Sequence, residues 1–331
     1  MLGGCGAGGP QEDYRQYLTR LARTLEMAPV APGHTSTPAL PPARDLRLDL
    51  PPGNIDALDF LALSGCAVQI TIGKRNSSLG RMARPSQRLL LDLEFLRLAP
   101  DCIAYQRREG EEALAATLEE AWELKRVQLP SQVFNATLGS SEYRAFWRAR
   151  APAPDYPAAT GSALITAMEE LNGHVRRWLQ GDFTADNQDV ELLLGKVAGG
   201  DGGALLRALA AQASALAAAD QILAARMAGG PLCGPGWRPA AADILDTVVR
   251  KFFIGAIQPR AAALNRRYHE LLPPVTELEQ MLEPALPPAY QAWRGQRDEQ
   301  LAALAEAPRR HVQALLAIQE PCGRGAPGND R

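Results

Sequence analysis

The densest cluster of polar side chains flanked by apolar residues lies between Cys66 and Arg88. Its members that could contact a ligand carry guanidinium, amide or hydroxyl groups: Arg75, Asn76, Ser77, Ser78, Gln87 and Arg88. Guanidinium groups bind carboxylates and phosphates through paired hydrogen bonds, and small polar groups orient a ligand in a pocket. The segment therefore predicts a site for an anionic or sugar-like ligand. In the alternative interpretation the hydroxyls and amides cap helices and fill turns, and the arginines are solvated or paired.

A second polar cluster follows near the middle of the chain. It contributes three further candidate binding residues: Asn135, Thr137 and Glu142. If both clusters face one cleft, the ligand-binding hypothesis is strengthened.

Catalytic machinery is harder to find in this sequence. Nucleophilic catalysis needs a serine or cysteine beside a base that a third group orients, and the chain has no G-x-S-x-G motif. His174 borders an apolar helical stripe and is interpreted as a core-edge residue, whereas His269 and His311 are assigned to solvated helix faces. No catalytic residue is predicted, and a non-enzymatic protein is favoured. The alternative is an envelope hydrolase with a site centred on Ser77 or Ser78.

Metal and cofactor sites are not predicted. The sequence has no C-x-x-C motif, and its four histidines are far apart without the spacing of metal ligands.

The first residues resemble a signal for export and lipid attachment. Leu2-Gly3-Gly4-Cys5 matches the end of a bacterial lipoprotein signal peptide, in which the cysteine receives the lipid. Residues 1–10 are thus predicted to be a signal remnant and a flexible tether, with the native start further upstream. We expect a lipid-anchored protein of the bacterial envelope that faces the periplasm. The alternative is a glycine-rich start with a cysteine by chance.

The remaining four cysteines favour the same compartment. An even number of cysteines suits the oxidising periplasm, and four cysteines allow three pairings. We favour Cys66–Cys102, which brackets a helical hairpin, and Cys233–Cys322, which joins two loops rich in glycine and proline. The alternative is four free thiols in a cytosolic protein.

Composition indicates a folded protein without nucleic acid as its main partner. The 331 residues are 46% apolar and 22% charged, enough for one large core or two smaller ones. The net charge of -2 provides no general basic field for phosphates. Because no apolar run reaches 18 residues, we expect no bilayer-spanning segment.

Hydrophobic spacing predicts an all-α bundle of roughly ten helices preceded by a proline-rich extended segment, with an edge strand at Leu46 to Leu50. A central helix is predicted from Ser86 to Leu98, and Pro130 is expected to end the next long helix. Thr276 and Glu279 have the spacing of a capping box that begins a helix. Residues 11–331 are predicted to form one helical domain, with a division into two subdomains near 151–157.

Several of these motifs together resemble a known family. The chain resembles the bacterial domain of unknown function 3080 family through its lipobox-like start, Cys66 and three short blocks: residues 75–80, 86–90 and 135–140. The resemblance implies an envelope lipoprotein with a helical fold and brings no activity. We therefore expect a binding or scaffold module tethered to the membrane through Cys5, with an envelope protein, glycan or lipid as its partner.

Overall fold

Helices make up nearly all of the regular structure. The computed structural model describes residues 9–51, 63, 65–158 and 160–323. Within these ranges there is no strand, and one isolated antiparallel bridge joins Gly234 and Trp237. The all-α prediction is confirmed, and the strand expected at Leu46 to Leu50 is wrong.

The first half begins with an amphipathic helix, followed by the extended proline-rich segment. Its helices are α1 (Pro10–Thr24), α2 (Ala43–Leu46), α3 (Val68–Asn76), α4 (Ser78–Met82), α5 (Pro85–Arg108), α6 (Glu112–Ala136) and α7 (Ser141–Phe146). The helices α5 and α6 form a long hairpin, against which α3 packs.

The second half contains longer helices. They are α8 (Ala163–Leu179), α9 (Asn187–Ala198), α10 (Gly202–Ala228), α11 (Ala240–Val248), α12 (Gln258–Met281), α13 (Pro288–Ala305) and α14 (Ala307–Gln319). A π-helix, Val249–Ile257, joins α11 to α12, and short 3-10 turns occupy Glu283–Ala285 and Glu320–Cys322.

Prolines lie inside three helices for which the sequence predicted an end or a beginning at or near these prolines. Pro100 lies inside α5, which continues to Arg108, Pro130 lies inside α6, and α12 runs through Pro273 and Pro274. The expected stop at Pro130 and the expected capping box at Thr276 are therefore wrong.

Core packing explains why these helices continue through their prolines. An internal proline costs about 3 kcal/mol because it removes one helical hydrogen bond and crowds the preceding turn. Beyond Pro130, α6 buries Val133 and Phe134 completely, and beyond Pro274, α12 buries Val275 and Leu278. Each such side chain contributes roughly 1.5–3 kcal/mol on burial, which offsets that cost.

The buried apolar side chains form two clusters. The larger cluster joins residues from both ends of the chain, for example Tyr17, Phe134, Trp178 and Ile318. The smaller cluster lies where α3, α5 and α6 meet and includes Cys66 and Cys102. The division into subdomains near 151–157 stays a prediction.

The described residues contain two disulfides. Cys66 pairs with Cys102 at a Cα–Cα distance of 5.5 Å, and Cys233 pairs with Cys322 at 4.8 Å. These are the pairings that the sequence favoured. Cys5, the expected site of lipid attachment, lies outside the described residues.

One stretch, Asn187–Ala228, has the length and composition of a membrane span, and its most apolar 18-residue window has a mean hydropathy of 1.3. This stretch was not foreseen from the sequence, because it contains no continuous apolar run of 18 residues. Of its most apolar window, 61% is buried inside the protein, and core helices commonly have the same properties.

Candidate functional site

The two polar clusters predicted from the sequence border one cleft of about 740 Å³. Three helices and an extended strap, residues 47–51, form its walls. Its polar lining comes mainly from α3, α5 and α6: Thr71, Arg75, Asn76, Ser86, Arg88, Asp92, Lys125, Gln128, Gln132 and Asn135. Ser140, Ser141 and Glu142 add to the lining where α7 begins.

The corner between α3 and α4 depends on two residues of the Arg75–Gly80 block. The Ser77 hydroxyl accepts a hydrogen bond from the Gly80 N–H at 3.0 Å and donates one to the Lys74 carbonyl at 2.7 Å. A Cβ at Gly80 would lie 2.1 Å from that carbonyl oxygen, so only glycine fits there. The block therefore fixes the chain direction at the edge of the cleft.

A buried carboxylate forms the floor of the cleft. Asp92 is 3% exposed. Lys125 Nζ lies 2.5 Å from its Oδ1, and Gln132 Nε2 donates to its Oδ2 at 2.9 Å. Arg75 Nε lies 3.6 Å from Oδ1, beyond hydrogen-bonding distance. Asp92 is thus satisfied mainly by Lys125 and Gln132, which leaves Arg75 incompletely paired.

Two partly buried guanidinium groups line the cleft, and each has an unpaired Nε donor among the described residues. The Nε atoms of Arg75 and Arg88 are buried and have no hydrogen-bond partner among the described residues. Burial, followed by the positive charges of Arg75 and Arg47, lowers the pKa of Arg88. A bound anion would relieve this repulsion between the guanidinium groups.

An unpaired hydroxyl and an apolar wall lie in the same cleft. Thr71 is 2% exposed, and its Oγ1 has no hydrogen-bond partner within the described chain. Ile72, Phe95 and Ala121 supply apolar surface to the lining. The cleft can therefore hold a ligand with one anionic group and further polar or apolar parts.

Five of the nine predicted binding residues line the cleft: Arg75, Asn76, Arg88, Asn135 and Glu142. The Asn135 amide is occupied by the strap, because it donates to the Leu48 carbonyl at 2.9 Å and accepts from the Leu48 N–H at 3.0 Å. Glu142 accepts a hydrogen bond from Ser141.

The other four predicted residues lie outside the lining. Ser77 caps α4, and Ser78 is its first residue. Gln87 donates to the side chains of Asn187 and Glu191 on α9, and Thr137 donates to the Val133 carbonyl at 2.7 Å. These hydrogen bonds lie within helices or between them.

The described residues provide no base for a serine nucleophile at this corner. No histidine or carboxylate among the described residues lies within hydrogen-bonding distance of Ser77 or Ser78. Those residues also contain no group of three or more histidine, cysteine or acidic side chains arranged to hold a metal ion.

His311 corrects one expectation from the sequence. It is fully buried rather than on a solvated face, with Nδ1 2.5 Å from Asp220 Oδ1 and Nε2 2.7 Å from the Tyr17 hydroxyl. The arginines that precede it in the sequence, Arg309 and Arg310, suggested exposure. Its helical spacing from Leu315 and Ile318 was the signal that could have placed it on the buried face. This arrangement ties α1, α10 and α14 together.

Sequence reasoning also missed a charged network in the core. Arg297 donates to both carboxylate oxygens of Glu279, at 2.7 and 2.9 Å, and Tyr290 donates to the same carboxylate at 2.6 Å. The guanidinium lies over the rings of Trp147 and Trp293, with 5.0 and 4.8 Å to their centroids. Burial raises the pKa of Tyr290 well above its ordinary value. Every charged group here is partnered, which indicates a structural role.

A model of the family described as protein of unknown function, DUF3080, matches residues 14–325. The chain belongs to the DUF3080 family. The match includes every element that lines the cleft of this DUF3080 protein, and both disulfides. No curated protein and no solved structure matches the chain. The site must therefore be interpreted from its own chemistry.

Proposed function

We propose that this DUF3080 protein is a ligand-binding module of the bacterial envelope, and that its cleft takes a small anionic ligand such as a sugar acid or sugar phosphate. The observation that carries this proposal is the pair of guanidinium groups, Arg75 and Arg88, which line one cleft and whose buried Nε atoms have no hydrogen-bond partner among the described residues.

The lining favours an anion over a cation. Five basic side chains contribute to it against three carboxylates: Arg47, Arg75, Arg84, Arg88 and Lys125 against Asp49, Asp92 and Glu142. Asp92 is already engaged by Lys125, so the remaining balance is positive. The volume of about 740 Å³ lies in the range of small-molecule sites.

The disulfides support a location outside the cytoplasm. Both bridges close long segments of chain, with sequence separations of 36 and 89 residues. Such bonds persist mainly in oxidising compartments, and in bacteria the periplasm is one. We propose attachment to the membrane through a lipid on Cys5, at the end of the Leu-Gly-Gly-Cys motif.

A thermal-shift panel tests the ligand class. Glucuronate, glucose 6-phosphate and inorganic phosphate are compared with uncharged glucose on the native protein and on Arg75→Gln. We expect the anionic sugars to raise the melting temperature of the native protein and to lose this effect in Arg75→Gln. Arg126→Gln, at an exposed arginine outside the cleft, is the matched control. Equal shifts with glucose and the anions would contradict the proposal.

Metabolic labelling tests the anchor separately. The full-length protein, expressed from its natural gene in its host, is labelled with an alkyne-bearing palmitate and compared with Cys5→Ser. We expect label on the native protein alone, and label on both proteins or on neither would contradict attachment at Cys5.

A further inference from the structure

We propose that the corner between α3 and α5 is a docking surface for an anionic lipid bilayer. We call it the basic tip and define it by Leu79, Arg81, Met82 and Arg84. This proposal goes beyond the ligand proposed for the cleft and does not depend on it, because the basic tip would dock whether or not the cleft is filled.

The basic tip exposes two large apolar side chains side by side. Leu79 is 84% exposed and Met82 is 86% exposed, more than any other large apolar residue in the described ranges. They are three residues apart on α4 and therefore project from the same side of this short helix. Exposure of this extent is costly in water and is relieved when the side chains enter an apolar phase.

Positive charge with few acidic partners in the described ranges surrounds these two side chains. From Ala67 to Leu91 the sequence has five basic residues and no acidic one. Lys74 and Arg75 reach Glu94 and Asp92 on α5. Arg81 and Arg84 have no ion pair among the described residues, so their charges remain available to a partner.

This combination fits a lipid surface better than a protein partner. Apolar side chains bordered by arginines are typical of segments that insert shallowly into anionic membranes. A stable protein interface buries about 800 Å² on each partner, far more than two side chains supply. The Ser77 cap and the close approach of Gly80 to the Lys74 backbone also hold the basic tip in place before binding.

Docking would place the cleft beside the membrane. Met82 and Arg84 belong both to the basic tip and to the cleft lining. The cleft would then open close to the lipid headgroups.

Vesicle co-sedimentation of the soluble, unlipidated chain tests this proposal. Vesicles of phosphatidylglycerol and phosphatidylcholine in equal parts are compared with vesicles of phosphatidylcholine alone. We expect binding to the anionic vesicles only, weakened by added salt. Each basic residue near an anionic surface contributes about five-fold, so Arg81→Gln with Arg84→Gln should weaken binding about twenty- to thirty-fold.

The apolar contribution needs its own variant and control. Leu79→Ser with Met82→Ser should reduce binding at least ten-fold, by the free energy of transferring two apolar side chains. Leu192→Ser with Ile244→Ser removes two other exposed apolar side chains and should bind as the native protein does. Far-ultraviolet circular dichroism and melting curves establish that each variant is folded.

A direct probe of insertion keeps the proposal testable if a variant misfolds. An environment-sensitive dye on Met82→Cys should shift to shorter wavelength with anionic vesicles, and the same dye on Leu192→Cys should not. Equal binding to both vesicle types, or no shift at Met82→Cys, would overturn the proposal. Vesicle binding that is lost in Arg81→Gln with Arg84→Gln but unaffected in Leu79→Ser with Met82→Ser would indicate electrostatic adsorption without insertion. That result would also overturn the proposal.

Discussion

Asn135 holds the strap of the cleft, because the NH₂ and the oxygen of its side-chain amide both hydrogen-bond to the backbone of Leu48, at 2.9 and 3.0 Å. A side chain thus supplies the hydrogen bonds that a neighbouring strand would otherwise provide. Gln128 adds a third bond from α6 to the strap, through the Pro51 carbonyl at 3.0 Å. One wall of the cleft therefore depends on two polar residues of one helix.

Removing this clamp should loosen the strap. We expect Asn135→Ala to lower the free energy of unfolding by about 1–3 kcal/mol, because the Leu48 N–H and carbonyl lose their partners in a partly buried position. Hydrogen exchange at the Leu48 amide should accelerate. Gln128→Ala, which removes one exposed bond, should have a smaller effect on both measurements. Unchanged exchange at Leu48 in Asn135→Ala would show that the clamp does not hold the strap.

Breaking the buried ion pair should be the most damaging single change to the core. Arg297→Met leaves the Glu279 carboxylate buried without its charge partner, at a cost of about 3–5 kcal/mol in urea unfolding. The exposed pair of Arg294 with Glu283 provides the control, and Arg294→Met should cost at most about 1 kcal/mol. Similar losses in both variants would contradict the assigned role of the network.

The Cys66–Cys102 bridge should support both stability and the cleft. Its removal as Cys66→Ser with Cys102→Ser should cost about 4 kcal/mol, from the 36-residue separation that it closes. Because the bridge fastens the start of α3 to α5, we also expect weaker anion binding through Arg75. Removal of Cys233 and Cys322 should destabilise the fold without changing affinity, measured by calorimetry below the melting temperature. Equal losses of affinity in both double variants would rule out a specific role for the first bridge.

His174 should make the protein less stable in acid. Burial and the charge of Arg177 lower the pKa of His174 below its ordinary 6.5. The unfolded chain therefore binds a proton at a higher pH than the folded one, so stability falls as the pH drops through 6.5 towards the folded pKa. Protonation would also end the hydrogen bond from Arg177 to Nδ1, at 2.8 Å. Urea unfolding across this range should show a shallower dependence in His174→Asn. The exposed His269→Asn serves as the control, and an identical slope for native protein and His174→Asn would contradict this assignment.

The positions of helices and their buried faces were predictable because apolar spacing along the chain is a local signal. The stripe Leu164, Met168, Leu171, Val175 and Trp178 is buried on α8, and Gly181 follows with the positive φ of 98° expected after a helix end. Helix ends at prolines were not predictable, because burial of distant residues decides whether a helix continues through Pro130 or Pro274. That burial depends on tertiary packing, which local propensity does not contain.

The candidate site was partly predictable. Arg75, Asn76 and Asn135 belong to polar clusters that the sequence analysis singled out, and all three line the cleft. Asp92 and Lys125 were missed, since a single carboxylate and a single lysine on two helices carry no spacing signal until the hairpin brings them together. The Glu279–Arg297 pair was missed for the same reason, because the two residues lie on different helices, α12 and α13.

Isothermal titration calorimetry with glucuronate and glucose 6-phosphate tests the central claim most directly. We predict saturable binding of at least one of these anions to the native protein and none of glucose. Charged hydrogen bonds contribute about 1.5–3 kcal/mol each, so Arg75→Gln and Arg88→Gln should each weaken binding by about ten- to one-hundred-fold, whereas Arg126→Gln should not. Native affinity retained in the Arg75→Gln, Arg88→Gln double variant, or no binding of either anion to the native protein, would contradict the claim.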